Sequence, residues 1–260
     1  MSRFKSMFSY YGGKSKIAHL YPPPECDTII EPFAGGAGYS LLYPERQVIL
    51  VEKNPAIAAV WRYLLETSLE TVLRDVPPDV RRGTRVSTLL APGSPGGLAA
   101  LLASAASVGE AGSYCYADRA VTAFGEKSWP RLRERLKHFH PRIQHWKLIE
   151  GDYAEAPDVE ATWFVDPPYQ GRLGDRYFCK NVDYKALAQW VQGRKGQVVV
   201  CENEGATWMK FKPVKAVRNL KNRSVEVAWC RSSSGAAGGA PTKGNSSKTS
   251  DGSSESRTPR

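Results

Sequence analysis

Thr162-Trp163-Phe164-Val165-Asp166-Pro167-Pro168-Tyr169 is the stretch on which the reading of this 260-residue chain turns. Its first four residues read as a buried strand. The next four close that strand with a carboxylate, two prolines and an aromatic ring. Asp166 offers an acceptor. Proline has no N–H, so Pro167 and Pro168 add carbonyl acceptors but no donors, on a stiff backbone. Tyr169 offers a flat face on which a ring can stack. Together they suit a planar group that carries an exocyclic NH2. The same residues also fit a plain strand followed by a proline turn, so the reading rests on what surrounds them.

Outward from this stretch, the chain alternates strand-like and helix-like segments. Thr28-Ile29-Ile30, Val48-Ile49-Leu50-Val51, residues 146–149 and Gln197-Val198-Val199-Val200-Cys201 are further apolar strands. Residues 55–65 read as a helix, with Asn54 as N-cap and Pro55 at the first helical position. Asp183 caps a helix reaching Gln192. Residues 212–217 and 224–229 form a closing antiparallel pair. Near-continuous apolar strands alternating with helices predict an α/β fold, a mostly parallel sheet covered on both faces.

Residues 76–143 break this rhythm. A Gly/Pro/Ala-rich part (91–112) precedes Tyr114, Tyr116, Arg119, Phe124, Lys127, Trp129, Arg131, Arg133, Arg135 and Lys137, and Ser128 is the expected cap of a helix through Lys137. Basic residues interleaved with aromatics suit phosphate and base contact; a helical lid packed by its aromatic side is the plainer alternative. The chain is therefore divided into residues 1–75 and 144–231 as one domain, 76–143 as an insert, and 232–260 as a tail. The tail is Ser, Gly, Thr, Ala and Lys with almost no large apolar residue, a composition expected to stay disordered.

The formal net charge is +10. From Arg231 onward five basic residues face two acidic ones, so +7 belongs to the body. A basic body suits a polyanionic partner such as nucleic acid, or is simply a solvated basic surface. No window is long enough to span a membrane and no signal-peptide segment opens the chain, which predicts a soluble, cytoplasmic protein without a membrane partner. The sequence fixes no oligomeric state, and a monomer is the default expectation. The five cysteines are scattered with no C-x-x-C pair, so neither a metal site nor a disulfide framework is expected.

Glu31-Pro32-Phe33-Ala34-Gly35-Gly36-Ala37-Gly38 follows the first strand and is expected to open a helix at Tyr39-Ser40-Leu41-Leu42. Glycines there let backbone approach a ligand, and a helix start presents free N–H groups. A tight strand-to-helix turn needs glycine as well. Glu52 ends the next strand, where a carboxylate suits the hydroxyls of a ribose; a charge ahead of Pro55 at a helix start is the alternative. The spacing to Glu52 is too short for a GxGxxG dinucleotide unit, which favours a nucleoside cofactor other than NAD. Ahead of the first strand, Tyr10-Tyr11-Gly12-Gly13-Lys14 offers an aromatic face and a cation for a carboxylate.

In this order, these elements resemble the Dam-type DNA adenine-N6 methyltransferases. The family pattern of aromatic-x-Gly-Gly-Lys, Glu-Pro-Phe-x-Gly-x-Gly, an acidic residue after the second strand, a recognition insert and Asp-Pro-Pro-Tyr falls on Tyr10 to Lys14, Glu31 to Gly38, Glu52, residues 76–143 and Asp166 to Tyr169. The resemblance covers residues 8–229 and implies a Rossmann-like S-adenosylmethionine-dependent methyltransferase fold. It also implies that Tyr10, Lys14, Glu52 and Asp166 contact S-adenosylmethionine, with Phe33, Gly35 and Gly38 under its methionine part and Asp152 near its adenine. Asp166, Pro167, Pro168 and Tyr169 would carry the chemistry, on an adenine flipped out of double-stranded DNA. By its own composition the basic loop holding Arg172, Arg176, Tyr177, Lys180 and Asn181 suits closure over the phosphates or the base, and equally fits a mobile surface loop. The insert is short and lacks the basic, Asn-rich hairpin text of the enzymes that read GATC, so it names no target sequence. Rival readings are an RNA guanine-N2 or DNA cytosine-N4 methyltransferase and a nonenzymatic DNA-binding protein with a relict site. The segment from Tyr10 to Lys14, the insert, and Asp rather than Ser at 166 favour adenine in DNA.

Overall fold

A computed structural model of the chain describes residues 6–106, 118–171, 177–218 and 223–234. The expected strands form: β1 (Thr28–Glu31), β2 (Gln47–Glu52), β3 (Lys147–Glu150), β4 (Thr162–Val165), β5 (Val198–Asn203), β6 (Lys212–Arg218) and β7 (Arg223–Arg231). They make one seven-stranded sheet in the order β3-β2-β1-β4-β5-β7-β6. The first five in that order run parallel. β7 is antiparallel to both β5 and β6. The protein is thus α/β, with a mostly parallel sheet and a closing antiparallel pair. The order 3-2-1-4-5 is Rossmann-like and reverses direction between β1 and β4, where a crevice opens at the carboxyl ends.

The period-2 alternation of side chains divides each strand between two cores. Ile29, Val48, Leu50, Phe164 and Val199 face one cluster. Ile30, Val51, Trp163, Val165 and Val200 face the other, against Leu187 and Val191 of α5 (Tyr184–Gln192). Two caps are as expected. Asn54 Oδ1 accepts from Ala56 N at 3.1 Å ahead of α1 (Pro55–Glu66), and Asp183 Oδ1 accepts from Lys185 N and Ala186 N ahead of α5.

The first face is covered by α1, then α2 (Leu69–Asp75), α3 (Gly96–Ala106) and α4 (Ala123–Phe139). The described residues of 76–106 and 118–143 pack into the main core. Leu101, Leu102, Trp129, Leu132, Leu136 and Phe139 are fully buried in the same cluster as Leu50, and the buried alanines of α3 let it lie close on α1. The aromatic interleaving splits accordingly: Trp129 is core, whereas Phe124 is 53% exposed. Arg133 turns inward to donate to the carbonyls of Leu73 and Val76.

Three local expectations are corrected. Residues 39–42 form a 3-10 turn, Ser40–Leu42, rather than an α-helix; glycines precede it, and Pro44 has no N–H to continue it. Ser128 does not cap α4. Thr122 Oγ1 accepts from Gly125 N and starts the helix earlier, and Ser128 Oγ donates to Gly125 O. The tail begins later than Ser232, because Ser232 Oγ and Ser233 N donate to Glu25 Oε2 at 2.8 and 2.7 Å. The remainder of the expected tail, Tyr114, Tyr116, Arg172 and Arg176 lie outside the described residues. Among the described residues no helix is long and apolar enough to cross a membrane.

Candidate functional site

A cleft of about 260 Å3 opens at the carboxyl ends of β1, β2 and β4. Tyr10, Lys14, Phe33, Gly35, Gly38, Glu52, Asp152, Asp166 and Pro168 all line it. Residues from five separate stretches of chain are thus brought together at the switch point. Pro167 is buried behind this wall. Tyr169 lines an adjoining hollow that shares Tyr10 and Lys14 with the cleft.

The glycine turn is held from beneath. Gly35 N donates to Glu52 Oε2 at 2.8 Å, Asn54 N donates to Glu52 Oε1 at 2.7 Å, and Trp61 Nε1 donates to Gly35 O at 2.8 Å. Burial pushes the Glu52 carboxyl up to about 7, against the pull of these N–H donors. A carboxylate offers about four acceptor sites, so hydroxyls can still be received. Two of the glycines owe their size to the protein itself. A Cβ at Gly35 (φ +46°) would meet the Tyr10 ring at 2.7 Å, and one at Gly38 would meet Ser15 N at 2.9 Å. The expectation that they admit a ligand is thereby amended: they let the Tyr10 to Ser15 segment close on the turn. Ala37, also at φ +46°, stores strain in the same loop.

Asp166 stands at the centre. Lys14 Nζ lies 2.6 Å from its Oδ1 and 2.8 Å from its Oδ2. The ammonium thus bridges both carboxylate oxygens and lies nearest the buried Oδ1. Burial pushes the Asp166 carboxyl up to about 6, with Lys14 pulling the other way and Glu226 adding to the rise. For Lys14, burial works against the charged form, but Asp166 and Glu226 overcome it and hold its pKa above the usual lysine value. The ammonium is a secure cation. It also lies 4.7 Å above the centre of the Tyr169 ring.

Tyr169 is only 8% exposed. Its hydroxyl donates to Glu226 Oε1, and one ring face belongs to Lys14. The stacking expected of it is restricted to the part of the ring that reaches the hollow. Pro168 O accepts from Tyr184 OH at 2.8 Å. Asp152 caps the turn Tyr153–Glu155, with its Oδ1 accepting from Ala154 N at 3.2 Å, and pairs through Oδ2 with Lys53 at 2.8 Å, so it serves both the turn and the cleft wall. Phe33 stacks on Tyr153 with centroids 5.3 Å apart. Tyr177 and Asn181 line the cleft.

Sequence reasoning gave no role to Glu31 and missed Glu226 and Tyr21. Glu31 lines the cleft, accepts from Ser40 N at 2.8 Å and is pushed up to about 8 by burial. Its signal was its place at the end of a strand, the same signal that marks Glu52 and Asp166. Glu226 accepts from Tyr21 OH at 2.6 Å, and no local pattern marks it. Among the described residues no cluster of three His, Cys, Asp or Glu side chains is placed to hold a metal. No protein-family model and no curated protein matches the chain.

Proposed function

We propose that this protein is a methyltransferase that uses S-adenosylmethionine to methylate the exocyclic N6 amine of an adenine in duplex DNA. The observation that carries this reading is the Asp166 carboxylate, held by Lys14 in the same cleft as the glycine turn and Glu52. The donor set fits the cofactor. Glu52 has acceptor capacity for ribose hydroxyls, the turn presents backbone to the amino-acid end, and Glu31 and Asp166 give the cleft carboxyl groups suited to a cationic sulfur. S-adenosylmethionine supplies an activated methyl group, which is why the protein needs no nucleophile of its own.

The chain's task is to ready the amine, whose lone pair is delocalised into the ring. The Asp166 carboxylate accepts one amine N–H and the Pro167 carbonyl accepts the other. These bonds hold the lone pair on nitrogen and aim it. A charge-assisted bond of this kind contributes about 1.5–3 kcal/mol. Lys14 fixes the carboxylate by pairing with both of its oxygens, and each oxygen keeps further acceptor capacity for the substrate. The proton that the amine gives up after transfer is received by the Asp166 carboxylate, which burial pushes up to about 6. A base within a duplex must be flipped out, at a cost of a few kcal/mol. The +7 body supplies attraction for the phosphates.

The test is transfer of tritiated methyl groups to DNA and to RNA, with the product nucleoside identified after digestion. N6-methyldeoxyadenosine is expected, and Asp166→Ala should lower transfer by on the order of a hundredfold or more with the fold retained. Label in RNA or on cytosine would replace this reading with a rival. Failure to bind S-adenosylmethionine would leave a nonenzymatic protein.

A further inference from the structure

We infer that Glu226 is a positioning residue for this site: from the antiparallel strand β7 it anchors the Tyr169 hydroxyl and shares the Lys14 ammonium with Asp166, and so fixes how the Asp166 carboxylate and the Tyr169 ring are presented. Only the kinetic arm of its test rests on the methyl-transfer reading.

Register places it there. Glu226 pairs with Asn203 at the carboxyl end of β5. Its side chain therefore rises beside the end of β4, where Asp166 lies. One oxygen, Oε1, accepts from both Tyr21 OH and Tyr169 OH and lies 3.6 Å from Lys14 Nζ. Tyr21 in turn packs edge-on against Phe164, two residues before Asp166, with centroids 5.2 Å apart. The carboxylate is thus gripped from three directions and grips both halves of the site. Two buried carboxylates share one ammonium, an arrangement with a surplus negative charge. Buried charge of this kind is weak evidence for stability, since apolar residues of similar volume often serve as well. A role in holding Lys14 and Tyr169 in register explains its presence better.

The test compares Glu226→Gln, which keeps the shape and an acceptor for the phenols but loses the charge, with Glu226→Ala and Tyr21→Phe. One readout is the titration midpoint of Asp166, followed by carboxyl-carbon NMR in the cofactor-free protein. Asp166 is faced there by Lys14, Glu226, Glu202, Glu31, Tyr21, Tyr169, Tyr177 and Cys201. Because Glu226 raises the Asp166 carboxyl, Glu226→Gln should move the midpoint down, whereas Tyr21→Phe should not. The second readout is kinetic. Glu226→Gln should lower kcat about tenfold or more, since small misplacements cost up to about a hundredfold, and leave KM for S-adenosylmethionine within about twofold. An unchanged kcat, or a lost kcat with an unmoved midpoint, overturns the inference; the latter would make Glu226 a packing residue. Should no protein transfer methyl groups, wild type included, the methyl-transfer reading fails. Glu226 is then judged on the Asp166 midpoint and on the Tyr169 ring in a crystal structure of Glu226→Ala, and an unmoved ring and midpoint overturn the inference.

Discussion

Lys14 is 5% exposed and touches both carboxylates of the site, so it is the residue on which the others depend. Lys14→Met would leave Asp166 and Glu226 buried without their cation. Breaking a buried pair from one side costs about 3–5 kcal/mol, and urea unfolding of Lys14→Met should show a loss of that size. Its place could be read from the sequence because Tyr10-Tyr11-Gly12-Gly13-Lys14 is a short local pattern. Asp166 was equally legible, as the first charge after an apolar run. Glu226 was not: it meets Tyr169 across 57 residues and Tyr21 across 205. Within Val225-Glu226-Val227 it reads as an ordinary outward strand residue. A partnership made only by sheet register leaves no mark in the neighbouring residues.

Elements begin where side chains satisfy free backbone N–H groups, and this is where sequence served best. Asn54 and Asp183 were identifiable because each stands just before an apolar helical repeat. Asn54→Ala should cost about 1 kcal/mol, seen as a lower midpoint in denaturant with an unchanged slope. It should also loosen the glycine turn, because Asn54 N and Gly35 N share the Glu52 carboxylate. Thr122 was overlooked for Ser128 because both fit a cap; the earlier start is fixed by Thr122 N donating to Ala106 O at 2.8 Å and by the buried Gly125 packing on that carbonyl. The turn after Gly38 misled for a related reason. A glycine turn after a strand suggests a helix start, but Tyr39 is tied by its hydroxyl to Pro22 O at 2.7 Å, and only a 3-10 turn fits before Pro44.

At the scale of the molecule, strand–helix alternation made the fold class legible but not the strand order, since order depends on which crossovers skip a neighbour. Nor could alternation show that the described residues of 76–106 and 118–143 join the main core. The assembled core has its own signature in solution. Burial raises Glu31 to about 8 and Glu52 to about 7, from an ordinary 4.5. The folded state then keeps protons that the unfolded chain releases, so their stabilising contribution is complete below about pH 4.5 and is lost as pH rises through 7 to 8. Lys14, held above its usual value, loses nothing in this window. Melting temperature should therefore fall from pH 5 to pH 8, and Glu31→Gln should flatten that fall and raise the melting point at pH 8. The reversed direction of β7 has one more outcome. Arg231 pairs with Val198, at the opposite end of β5 from the cleft, roughly 20 Å away for six extended residues. Whatever is spliced after Ser234, be it an affinity handle or a fluorescent reporter, starts from the rear of the sheet and leaves the mouth of the cavity clear.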